Sequence, residues 1–127
     1  MEKLGKRTRE IRFYSEKNKA MCSVHSVGAR NYTKWLEERE DVRGYEANVA
    51  WDTAFLGRVD RVDIRGLYLK TDWTTDFKLF FTDGHVGIRE MVREEKLQER
   101  AVIEKLELSR RYWKAQGIED WKVVLEG

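Results

Sequence analysis

The sequence predicts a mixed α/β domain, a β-sheet flanked by helices. Three observations carry this. From Tyr45 to Glu90 the chain is rich in β-branched and aromatic residues, punctuated by Gly57 and Gly66. Residues 93–116 show the clearest helical periodicity. A short apolar run, WKVVLE, then closes the chain as a strand. Helix, strands, long helix and strand in that order suit a sheet covered by helices.

Taken in order, residues 10–15, EIRFYS, read as a short strand or an extended lead-in. Ser26 is placed to N-cap a helix running to about Glu40, with Tyr32, Trp35 and Leu36 on its apolar face and Gly44 as its stop. VAWDTAFLGRVDRVDIRGLYLKT contains alternating or β-rich pieces, and a strand there puts Asp60 and Asp63 on opposite faces. TTDFKLFF and VGIREMV form the two arms of a hairpin around TDG. In the long helix Leu97, Ala101, Leu108 and Tyr112 line one side and Val102, Leu106 and Trp113 the next, with Gly117 past its end. Tyr112 and Trp113 read as core, and WKVVLE as a short buried strand.

A chain of 127 residues suits one domain, residues 1–127, with one core. Five each of Trp, Tyr and Phe supply that core with large side chains. The single Cys22 excludes an internal disulfide and a cysteine metal cluster, which suits a reducing cytoplasm, free in a host cell or associated with its nucleoid. The chain contains neither a signal peptide nor an apolar run long enough to span a membrane. A net charge of +2 does not by itself argue for nucleic acid. Its distribution says more: Lys3, Lys6, Arg7, Arg9, Arg12, Lys17 and Lys19 face only Glu2, Glu10 and Glu16 within residues 1–19. Such a basic arm follows a phosphate backbone through counterion release, which makes Arg7, Arg9, Arg12, Lys17 and Lys19 the candidate DNA contacts. A solvated, frayed terminus is the alternative.

The hairpin poses the chemical question. It carries Asp76 among aromatics on one arm and Glu90 near the end of the other. With a two-residue Asp83-Gly84 turn, Asp76 faces residue 91 and Glu90 points the other way. With a three-residue Thr82-Asp83-Gly84 loop and Gly84 in the left-handed region, Asp76 faces Glu90 on one side of the sheet. Opposed carboxylates repel, so a cation or a shared proton must compensate. Two hard oxygen ligands suit Mg²⁺ or Mn²⁺. A solvated sheet edge with two idle acids is the other reading of the same spacing.

In their order and spacing these residues resemble the N-terminal catalytic domain of TnsA, the endonuclease subunit of heteromeric transposases, which has the restriction-endonuclease-like PD-(D/E)xK fold. The likeness runs from about Ile11 to Leu125. It rests on IRFYSEKNKAM, on SVGARNYTKWLEEREDVRGYE, on TTDF before the DG hairpin and REMV after it, and on IEKLELSRRYW with its final strand. The resemblance implies a restriction-endonuclease-like mixed sheet and a metal-dependent DNA endonuclease, acting in transposition, recombination or phage and mobile-element DNA processing. It implies Mg²⁺ or Mn²⁺ held by Asp76 as core aspartate and Glu90 as second ligand. DNA is the implied partner, with a transposase or another mobile-element protein beside it and a homodimer as a further option. Two positions depart from the pattern. The family's helix acid falls on Ala29, and its lysine, two residues after Glu90, falls on Val92. Lys78 shares strand parity with Asp76 and is the candidate stand-in for the lysine, with Arg89, Arg93 and Lys96 close in sequence; Glu37 or Glu46 is the candidate for the helix acid. The departures leave open a degenerate module that binds DNA or a transposase partner without cutting.

Outside the hairpin, His85 reads as a solvated turn residue and His25 as a surface residue just before the first helix. Cys22 lacks a recognisable base partner. Arg110, Arg111 and Lys114 complement the dipole at the end of the long helix.

Overall fold

The computed structural model describes residues 10–60, 62–64 and 73–126. Arg7 and Arg9 of the basic arm, and Gly66, lie outside the described residues. Strand β1 (Ile11–Ser15) pairs antiparallel with β2 (Ala20–Val24), with Lys19 at φ 55° beside the turn. Residues 11–24 are therefore a folded hairpin and not a loose arm. Phe13 and Ser15 face inward, while Arg12 and Tyr14 face out. Arg12 lies 3.7 Å from Glu10, and Lys17 Nζ donates to the Arg39 carbonyl at 2.7 Å.

Helix α1 (Val27–Glu38) starts where Ser26 accepts the Ala29 N–H at 3.0 Å, as a capping serine should. Leu36 is fully buried, whereas Trp35 is 48% exposed and stacks on Tyr32. The helix ends before Gly44, which instead sits in β3 (Val42–Ala50) at a register shift. A Cβ there would lie 3.0 Å from Asn18 Oδ1, the atom that accepts the Tyr45 N–H. Gly44 thus serves a close approach between segments.

The expected strand character after Ala50 is replaced by α2 (Thr53–Leu56), a helical turn capped by the Asp52 carboxylate on the Ala54 N–H. Asp60 accepts the Val62 N–H and Asp63 has φ 66°, so these two aspartates shape a turn and do not mark the faces of a strand. Strands β4 (Thr74–Phe81) and β5 (Val86–Arg93) form the expected hairpin. A 3₁₀ turn, Glu94–Lys96, follows, so α3 (Arg100–Ala115) begins later than its periodicity suggests. Gly117, at φ 86°, ends it. Strand β6 (Asp120–Glu126) lies at the sheet edge and is only half-buried, with Leu125 51% exposed.

The sheet order is β3-β4-β5-β6, antiparallel except for β5 and β6, which run parallel with α3 as the crossover. The chain is a mixed α/β fold. Phe77 and Leu79 join Phe13, Val24 and Leu36 in one core; Ile88, the partner of Lys78, joins Leu108, Tyr112 and Trp113 in a second. Alternation along a strand puts these cores on opposite faces, one under α1 and the β1–β2 hairpin and one under α3. Tyr112 and Trp113 are core residues, as their periodicity implied. No helix among the described residues is long and apolar enough to cross a membrane.

Candidate active site

Gly84, at φ 94°, decides the hairpin. Phe81 N–H donates to the His85 carbonyl at 3.0 Å and encloses a three-residue loop, Thr82 to Gly84. Phe77 then pairs with Arg89 and Lys78 with Ile88, the register that carries Asp76 toward Glu90. The regular ladder stops at Phe77. On β3 Asn48 takes φ 56°, and the alternation of β3 and β4 inverts there: Ala47 and Phe77 belong to the α1 core, but Val49 packs with the α3 core and Thr75 bonds to Trp113 of α3. Strand β5 keeps its alternation, and Glu90 bonds to Ser109 of α3. The two acids are neighbours through that slip rather than by a simple face-to-face pairing. Asp76 N–H donates to Glu90 Oε1 at 3.2 Å, and Met91 N–H donates to Asp76 Oδ2 at 2.7 Å. Each carboxylate takes a backbone donor from the other acid's strand where the ladder lapses.

Glu90 is fully buried, and its surroundings determine its role. An indole N–H can only donate. The Trp51 and Trp113 indoles both donate to Thr75 Oγ1 at 2.7 Å, and Trp121 donates to Ser109 Oγ at 3.0 Å. Each hydroxyl keeps one hydrogen, which goes to Glu90 Oε2 at 2.8 Å from Thr75 and 2.5 Å from Ser109. Lys105 Nζ stands 3.4 Å from Glu90 Oε1, where the Asp76 N–H also arrives. Four donors thus fill the roughly four lone-pair sites of one carboxylate. Glu90 is wired as an acceptor.

Asp76 is placed differently. Burial, then the negative charge of Glu90, raise its carboxyl to about 6. Asp76 also lines a cavity of about 200 Å³ together with His25, Ser26, Ala29, Asn48, Met91 and Glu126.

These environments test the expected cation. Glu90 has no lone pair to spare for Mg²⁺ or Mn²⁺, so the pair does not fit as a two-carboxylate clamp, and no group of three or more His, Cys, Asp or Glu among the described residues forms a metal cluster. Asp76 alone does fit: Oδ2 takes the Met91 N–H, no described residue donates to Oδ1, and the cavity beside it presents the hard donors of Glu126, Asn48 and Ser26.

The other expected residues fall elsewhere. Lys78 lies over the Trp113 ring at 5.5 Å and is bonded to neither acid, because the slip at Asp76 breaks the parity that linked them. Arg89 turns to the α1 side and grips Asp120 at 2.9 and 3.2 Å. Arg93 pairs with Glu95, and Lys96 with Glu99. Glu37 takes hydrogen bonds from Ser15 and Tyr45, both at 2.6 Å, and holds the β1–β2 hairpin to the sheet. Glu46 is exposed beside Lys78. Val92 is buried. His25 is an exposed residue lining the Asp76 cavity. His85 is more than a turn residue: it stacks on Phe81 at 4.1 Å and bridges Asp83 at 2.6 Å and Asp120 at 2.9 Å. Arg110 and Arg111 both hold Glu107, and Arg111 also reaches the Asp60 and Val62 carbonyls.

Thr75, Lys105, Ser109 and Glu126 were missed from the sequence. Ser109 had a detectable signal, a small polar residue four before Trp113 on the apolar stripe of Leu106 and Trp113. Lys105 lies four residues before Ser109, on the same helix face. Thr75 and Glu126 had none. No protein-family model matches the sequence, and no curated protein matches it either.

Proposed function

We propose that the chain is a nuclease-fold domain of the TnsA-like lineage, a metal-dependent DNA endonuclease of transposition, recombination or mobile-element DNA processing. The observation that carries this reading is the Asp76–Glu90 carboxyl pair, with Glu90 buried under four donors and Asp76 opening on one side to a polar cavity. Structural cores seldom keep two acids together, whereas hydrolytic sites use such pairs to tune one of them. The mixed sheet with its parallel last strand, helix-covered on both faces, supports the same lineage.

In this reading Asp76 holds Mg²⁺ or Mn²⁺ from the cavity side. The cation, when bound, supplies Lewis-acid stabilisation of the phosphodiester and a more acidic water. Glu90 acts through Asp76, fixing its backbone N–H and disfavouring its ionisation until positive charge arrives. Lys105, 3.4 Å from Glu90, supplies the positive charge that Val92 cannot. Exposed Arg12 and Lys19 are candidate phosphate contacts on the hairpin, while Lys17 is committed to the Arg39 carbonyl. A cytoplasmic setting, with DNA and a transposase or related mobile-element protein as partners, belongs to the same reading.

The test is nicking of supercoiled plasmid with Mn²⁺ or Mg²⁺, wild type beside Asp76→Asn. Metal-dependent nicking lost in the variant is expected; equal nicking by both removes the reading. The full lone pairs of Glu90 and the buried Val92 favour a second reading, a nuclease-fold module that binds DNA or a transposase partner without cutting. A salt-sensitive gel shift with no metal-dependent nicking would select it.

A further inference from the structure

A second carboxylate residue lining the Asp76 cavity comes from the far end of the chain. Glu126 closes β6 and reaches over the start of α1, where Ser26 Oγ donates to its Oε1 at 3.2 Å. The same Ser26 oxygen accepts the Ala29 N–H, so one hydroxyl caps the helix and anchors the acid. Gly28 makes this seat. A Cβ at residue 28 would lie 2.1 Å from Glu126 Oε1 and 2.8 Å from its carboxyl carbon. Real side chains do not approach so closely, so the carboxylate occupies space that only glycine leaves open. It also lies at the positive end of the helix dipole, where negative charge is favoured.

Glu126 and Asp76 line the same cavity of about 200 Å³, together with Ala29, Asn48 and Ser26. Bulk water takes about 30 Å³ per molecule, so the space admits a cation together with several of its waters. Glu90, the expected second ligand, is saturated, and the helix position expected to carry an acid holds Ala29.

Resting on the nuclease reading, we infer that Glu126 is the second carboxylate of the metal site: Asp76 and Glu126 hold a divalent cation between β4 and the first turn of α1, with the Asn48 amide oxygen and Ser26 hydroxyl as neutral oxygen donors. Glu126 occupies, from the last strand, the place that Ala29 leaves without an acid. Glu90 keeps its four donors and positions Asp76. An all-oxygen set with two carboxylates and retained water suits Mg²⁺ or Mn²⁺ rather than Zn²⁺.

The experiment is calorimetric titration of Mn²⁺ into the full chain, without DNA, for wild type, Asp76→Asn, Glu126→Gln and Gly28→Ala, with Glu119→Gln as an exposed-acid control. Expected is saturable one-site binding by wild type and Glu119→Gln, weakened about tenfold or more by each of the other three. Gly28→Ala keeps both acids and fills only the seat, and a thermal melt reports whether each variant is folded. Wild-type affinity in a folded Glu126→Gln, with binding lost in Asp76→Asn, would overturn the role of Glu126 and leave the nuclease reading standing. No Mn²⁺ binding by wild type would overturn both.

Discussion

Asp76→Asn in metal-free protein isolates the central electrostatic claim. Burial and the facing charge of Glu90 raise the Asp76 carboxyl from 3.8 to about 6, so the folded state binds this proton more tightly than the unfolded chain. The associated stability is fully present below 3.8 and is lost as pH rises through about 6. That shift corresponds to at most about 3 kcal/mol. Asparagine keeps the oxygen that accepts the Met91 N–H and stays uncharged beside Glu90 at every pH. Urea unfolding in EDTA between pH 4 and 7.5 should show wild type losing up to about 3 kcal/mol relative to the variant, which ends about 2 to 3 kcal/mol more stable at pH 7.5. Titrations of groups distant from the pair are common to both proteins and cancel in the difference. A variant less stable than wild type at pH 7.5, or a difference that does not change with pH, would refute the argument. A gain in stability with loss of metal binding would mark Asp76 as a group held for function at the expense of the fold.

Thr75→Val keeps the shape but removes one donor to Glu90 and the shared acceptor of two buried indoles; urea unfolding should show a loss of about 2–4 kcal/mol, and a loss under about 1 would contradict the wiring. Lys105→Met removes a charge that lowers the Asp76 carboxyl; the upper end of the pH-dependent loss of stability should move above its wild-type position near 6, and an unmoved upper end would exclude Lys105 from the pair. His85 is raised above its ordinary 6.5, first by its hydrogen bond to Asp120 and then by that to Asp83. Its contribution to holding the hairpin tip against β6 is present below 6.5 and lost as pH rises through the folded value. Its NMR titration midpoint should fall toward 6.5 in Asp120→Asn and stay put if the bridge contributes nothing.

Much of the architecture was legible in local chemistry. Ser26 announces its helix because a hydroxyl before an apolar stripe satisfies an otherwise unpaired N–H. Gly84 and Gly117 mark a loop and a helix end because both adopt positive φ. Local signals misled where the competing interaction is also short-range but weaker in pattern: Asp52 converts an apparent strand into the turn of α2 by capping it, and Gly44 serves a close contact rather than a helix stop. The β1–β2 hairpin carries too few residues for its second strand to stand out against a basic segment.

By itself the sequence determined the mixed α/β class and the β4–β5 hairpin, with its three-residue loop as one of two registers. Those follow from periodicity and turn stereochemistry, which act within a few residues. Tertiary structure alone decided which acid is saturated and which is open. Indoles of Trp51, Trp113 and Trp121, from three separate stretches of the chain, force two hydroxyls to donate to Glu90, and the inversion at Asn48 turns Asp76 toward a cavity shared with Glu126. The protonation and ligand capacity of a carboxylate depend on donors that converge in space from anywhere along the chain, and no local spacing encodes that convergence.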